Sequence, residues 1–142
     1  MRMIFVNLPV KNVEASRRFF GALGFEFNPQ FSSDDTACMV SEENIFAMLL
    51  EHKAFQGFIT GDISDATKAT EVLTCLSADS RAQVDDTLAK ALAAGAKPWK
   101  PILEMGPMYG CSFQDIDGHV WELMYMDQAA MAEMGQPAKA SA

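Results

Sequence analysis

The chain has 142 residues, 49% of them hydrophobic and 21% charged, enough for one compact domain with a real core and too apolar for disorder throughout. A formal net charge of −8 and a pI near 4.6 argue against a nucleic-acid backbone or an anionic membrane as main partner; they are compatible with neutral or cationic small ligands and equally serve solubility alone. Three widely spaced cysteines without a CxxC pair read as free thiols, no apolar run reaches the roughly 20 residues of a membrane span, and no signal-type stretch opens the sequence, so a cytoplasmic location is expected.

Residues 3–8 have a strand pattern, which Pro9 is expected to end because proline cannot donate to a sheet ladder. Asn12 then fits a helix N-cap, Ala15, Phe19, Phe20 and Leu23 form an apolar stripe at helical spacing, and Gly24 closes the helix. Strands are expected over 25–31, 36–41 and 44–51, followed by a loop or short helical link over 52–69. The pattern then restarts: a strand at 71–76, Ser80 as N-cap, and a helix over 81–94 whose apolar face is Val84, Leu88, Ala91 and Leu92, closed by Gly95. Strands near 96–104, 108–115 and 119–126 complete the second unit, with Asp117-Gly118 as a tight turn. Residues 127–142 read as a tail containing at most one helical turn.

The halves therefore repeat as strand–helix–strand–strand–strand. Leu8 matches Leu76 and Asn12 matches Ser80 at a separation of 68; Cys38 matches Cys111 at 73, and Phe46 matches Trp121 at 75. The expected fold is α+β, two tandem βαβββ modules over about 1–60 and 70–126 forming a curved mixed sheet around a cleft, the natural place for a ligand. In this alignment the paired cysteines indicate packing symmetry.

Two segments resemble a known superfamily. Asp115-Ile-Asp-Gly-His-Val-Trp-Glu-Leu is similar to the D-x-D-G-x-x-x-E-L segment of vicinal-oxygen-chelate proteins, and Asn7 to Ser16 with Phe19-Phe20 and Leu23-Gly24-Phe25 resembles their first module. The superfamily includes glyoxalase I, extradiol dioxygenases, epimerases and metal-free antibiotic-binding proteins, so the resemblance implies a fold more sharply than an activity. Its metal enzymes hold a divalent ion on inward-facing strand side chains and use it as a Lewis acid. The matching positions here fall on Phe5, Ala47 and Leu73, and only Glu122 keeps a ligand-type residue, so a metal site is disfavoured and no cofactor is assigned. His119 and Glu122 are three apart on a strand and should face opposite ways, and His52 reads as a surface residue.

Glu122 is consequently the sharpest candidate: a general base, the acceptor for a ligand ammonium, or a carboxylate held internally by Tyr109 or a basic side chain. Asn7 either faces the cleft or caps the turn at Pro9. Cys75 shares the parity of Leu73, so it should face the cleft, and reads as a buried, inert thiol. Tyr109 either donates to a ligand at the cleft rim or closes the core, and Phe55 with Phe58 forms either a lid or one face of a packed helix. Methionines such as Met124 give an adaptable lining. These residues suit a metal-free small-molecule binding protein; the alternative is a metal-dependent lyase, isomerase or dioxygenase using Glu122. The resemblance also implies a homodimer.

Overall fold

A computed structural model describes residues 1–133. In chain order the elements are β1 (Ile4–Val10), α1 (Val13–Ala22), β2 (Glu26–Phe27), a 3₁₀ turn (Pro29–Phe31), β3 (Thr36–Glu42), β4 (Ile45–Glu51), α2 (His52–Gln56), β5 (Leu73–Ala78), α3 (Arg81–Ala93), β6 (Lys97–Pro98), β7 (Leu103–Met105), β8 (Met108–Gln114) and β9 (Val120–Met126). They form two mixed sheets. The first has the order β1-β4-β3-β2; the second runs β5-β9-β8-β6, with β7 also on β8. In each sheet the first and last strands of the module pair in parallel and the other pairings are antiparallel. Two βαβββ modules in an α+β fold are what the repeat implies.

Both long helices begin where capping chemistry dictates. The Asn12 side chain accepts from the Ala15 amide and the Ser80 hydroxyl from the Gln83 amide, satisfying donors that no helical carbonyl can reach. Gly24 and Gly95 follow the helix ends at φ of 100° and 112°, a region that side chains disfavour.

The modules share one core. Phe19 and Phe20 on α1 meet Phe113 and Trp121 of the second sheet, with Phe20 and Trp121 ring centroids 5.2 Å apart. Leu8, Val10, Ala37, Met39, Ala47 and Leu49 complete it from the first sheet, and Ala91 from α3. Each sheet thus has a helix-facing side, which is core, and an open side. On the open sides Phe5 remains 41% and Leu73 56% exposed.

Several local expectations change. β1 continues through Pro9 to Val10. Within a strand a residue's N and C=O point the same way, and the Pro9 carbonyl is turned toward His119 rather than β4. The missing N–H therefore falls on the free edge of an edge strand. The expected strand at 25–31 is cut to two residues because Asn28 caps a 3₁₀ turn that Pro29 opens. The strand near 96–104 splits into β6 and β7 around Pro98 and Pro101. On α3, Thr87 is buried and Leu92 is 39% exposed, so the apolar face runs through 84, 87/88 and 91.

The ladders also correct the repeat. Leu8 stands opposite Leu49 and Leu76 opposite Leu123. Taking Leu8 and Leu76 as equivalent, Met48 beside Asn7 corresponds to Glu122 beside Cys75. Ala47 belongs to the core and Phe46 stacks on Phe5, whereas Trp121 faces the helices, so matching Phe46 with Trp121 is off by one residue and one face. Cys38 and Cys111 are likewise not equivalent. Cys38 stands opposite Met48 on the open side, while Cys111 stands opposite Leu123 with its Sγ 3.8 Å from the Val84 carbonyl of α3. Of the tail, one helical turn opens at Asp127, whose carbonyl accepts from the Met131 amide at 2.8 Å, and residues 134–142 lie outside the described residues.

Candidate ligand site

The motif that ends the second module works mainly as architecture. Asp115 Oδ1 accepts from the amides of Asp117 and His119 at 2.9 and 3.0 Å, and its Oδ2 accepts from Trp121 Nε1 at 2.9 Å. Burial pushes this carboxyl above its ordinary value, against the pull of His119, the indole and the Asp117 amide. Asp117 Oδ1 accepts from the Lys11 amide at 2.8 Å, and His119 Nε2 lies 2.7 Å from the Pro9 carbonyl. The hairpin thus ties the second module to the end of β1. Gly118 makes the tie possible. Its φ is +92°, and a Cβ there would lie 2.9 Å from backbone atoms of Ala66 and Thr67.

One residue beyond Trp121 the strand presents Glu122 to the open side. Its ladder neighbours are Cys75 on β5 and Ser112 on β8. Met124 lies two residues on, over Gly110, where an added Cβ would meet its terminal methyl at 2.6 Å. The Ser112 hydroxyl accepts from the Lys100 amide at 3.1 Å. Among the described residues Glu122 takes part in no internal side-chain hydrogen bond or salt bridge. Cys75 is exposed rather than buried, and its thiol is pushed up first by desolvation and then by the charge of Glu122.

A cavity of about 680 Å³ lies along the free edge of β1, beneath the segment joining the modules and against the start of β9. Asn7 and Phe55 line it; Glu122, Cys75 and Met124 do not. Asn7 is exposed and gives its Nδ2 to the Phe5 carbonyl at 3.1 Å, not to a turn at Pro9. Phe55 belongs to α2, whereas Phe58 lies beyond the helix and is 80% exposed, so the two rings do not form one packed helical face.

The candidate residues are therefore distributed. Glu122, Cys75 and Met124 share an open face, while Asn7 and Phe55 share a cavity. Tyr109 points the other way: its hydroxyl donates to Asp85 of α3 at 2.7 Å and Arg81 lies over its ring, so it does not hold Glu122. The Asp85 hydrogen bond holds this phenol above its usual range. Sequence reasoning missed the acidic rim of the cavity, Asp62 and Glu71, because only the folded connecting segment brings them to β1.

The residues present do not fit a divalent metal. In the corrected register the positions around Glu122 are Phe5, Met48 and Leu73, none a hard-ion ligand. Among the described residues no three His, Cys, Asp or Glu side chains converge. Among the described residues no helix is long and apolar enough to cross a membrane.

Two paired βαβββ modules carrying this hairpin define the class: the chain has the fold of the glyoxalase/bleomycin resistance/dioxygenase, or vicinal-oxygen-chelate, superfamily, as the sequence resemblance implied. A model of the bleomycin resistance protein-like N-terminal family matches residues 2–41. Hypothetical protein SA1046 from S. aureus is 26% identical with a TM-score of 0.75, covering 88% of this chain and 94% of that one. A glyoxalase/bleomycin resistance protein/dioxygenase family enzyme from Burkholderia phytofirmans PsJN is 18% identical at a TM-score of 0.73, covering 89% and 100%. The fosfomycin resistance protein FosX from Listeria monocytogenes is 16% identical at 0.66, covering 92% and 97%. No curated protein sequence matches.

Proposed function

We propose that the chain is a small-molecule binding protein that holds its ligand on the open face of the second sheet, with Glu122 as the polar contact and no divalent metal. The observation that carries this is the position of Glu122. It is the one acid at the motif position, among Cys75, Ser112 and Met124, and it has no internal partner among the described residues. A carboxylate on a largely apolar face suits a ligand with a hydrogen-bond donor or an ammonium group.

The exposed apolar side chains of the open faces, Phe5 on one sheet and Leu73 on the other, support a homodimer in which a second copy covers them and walls the site. Three unpaired cysteines support a reducing, cytoplasmic setting.

The test is calorimetric titration of a panel of apolar amines and neutral analogues, with metal analysis of untagged protein. Glu122→Gln should weaken the best binder at least about tenfold, equivalent to a charged hydrogen bond. Unchanged affinity for every binder, or one tightly held divalent ion per chain, overturns the reading. Phe5→Glu with Leu73→Glu should shift the protein to monomer in sedimentation, and an unchanged mass would remove the second copy from the site.

A further inference from the structure

The 680 Å³ cavity is not explained by a ligand at Glu122, which does not line it. Its volume falls inside the roughly 300–1,000 Å³ range of small-molecule sites. Val6, Leu8, Phe55, Ile59 and Val120 give it an apolar body. Its roof is held by its own bonds. Gln56 donates to the Gly61 carbonyl at 2.8 Å, Asp65 accepts from both the amide and the hydroxyl of Thr67, and Ala66 and Thr67 rest on the glycine of the β8–β9 hairpin. The cavity is thus preformed, which lowers the ordering cost of binding.

Its charge is one-sided. Asp62 and Glu71 line it, and neither belongs to a salt bridge among the described residues. Among the described residues no lysine or arginine lines it, and the one histidine that does, His119, is engaged with the Pro9 carbonyl. An anion in the cavity would meet two lining carboxylates. Phe58, exposed, also lines the cavity, and an aromatic ring can attract an ammonium group over its face.

We propose that this cavity is a second binding site that takes a small organic cation, its apolar part against Val6, Leu8 and Val120 and its ammonium group between Asp62 and Glu71. The probes are three molecules of one shape: 4-phenylbutylamine, 4-phenylbutanol and 4-phenylbutyrate. Each is titrated into the full chain and followed by methyl NMR and calorimetry. The amine should bind and shift the methyls of Val6, Ile59 and Val120 while leaving Met124 in place. The alcohol should bind roughly three- to tenfold more weakly, the size expected for partly screened charges, and the butyrate weakest of all. Asp62→Asn with Glu71→Gln should remove the preference for amine over alcohol while alcohol binding persists. Ala69→Trp, which puts an indole into the cavity from an exposed position on the connecting segment, should abolish binding of all three. Equal binding of butyrate and amine, shifts centred on Met124, or no binding by any probe would each overturn the proposal, as would an amine preference that survives the double substitution.

Discussion

Trp121 and Glu122 are adjacent on one strand and belong to different parts of the molecule. Trp121 is 2% exposed, packs edge-on against Phe20 and gives its indole N–H to a buried aspartate. Glu122 looks out from the other side of the sheet with Cys75 and Met124 beside it. The helix-facing side is closed: its polar groups are paired and its apolar groups interdigitate across both modules. The open side carries exposed phenylalanine and leucine together with a carboxylate that no donor satisfies among the described residues. A pleated strand separates the two roles by one residue, so fold and ligand chemistry can vary independently.

That separation is breakable first on the closed side. Trp121→Ala removes a large buried ring and leaves Asp115 without its indole donor. It should cost about 3–5 kcal/mol in urea unfolding. A loss below about 1 kcal/mol would mean that the core does not depend on the second module's aromatic. Gly118→Ala forces a side chain into positive φ and against the connecting segment. It should cost roughly 1–3 kcal/mol and shift amide resonances of 64–70, reporting that the hairpin braces that segment.

The closed side should also carry a pH signature. Burial raises the Asp115 carboxyl, so the folded chain holds that proton more tightly than the unfolded chain. The stabilisation is full below the ordinary value of 3.8 and is lost as pH rises through the raised folded value. Subtracting the unfolding free energy of Asp115→Asn from that of the native chain removes the contribution of carboxylates common to both, and the difference should fall as pH rises above the ordinary carboxylate value. A difference that climbs with pH would show that the three N–H donors outweigh desolvation.

The closed side was also the legible side. Asn12, Ser80, Gly24 and Gly95 announce two helices because capping and positive φ are local requirements, and the recurrence of the same order 68 residues on implied the paired modules. The ladder register was not legible. Phe46 and Trp121 are both aromatic and similarly placed, yet a single-residue offset moves a side chain to the other face, and only the pairings Leu8–Leu49 and Leu76–Leu123 set the parity. Tyr109 was ambiguous for the same reason until Asp85 on α3 fixed its side. The cavity was invisible because β1, the connecting segment and the β9 start are distant in sequence, and loop conformation is poorly encoded by apolar period.

The smallest effects belong to the open side. Glu122→Gln should change stability by less than about 0.5 kcal/mol, since no internal partner among the described residues is lost. The neighbouring thiol gives the finer reading. Cys75 is exposed while Cys38 and Cys111 are buried, so a disulfide reagent should modify one thiol rapidly in the folded chain and the other two only on unfolding. Desolvation is the larger cause of the raised Cys75 value and the Glu122 charge the second. Neutralising Glu122 removes only the second cause, so the thiol falls part of the way back and more thiolate is present at a fixed pH near 8. Modification of Cys75 should therefore be roughly two- to threefold faster in Glu122→Gln, the gain held down by the lower nucleophilicity of a less basic thiolate. An unchanged or slower rate would mean that the carboxylate does not act on this thiol, and the pairing of Cys75 with Glu122 on one open face would have to be given up.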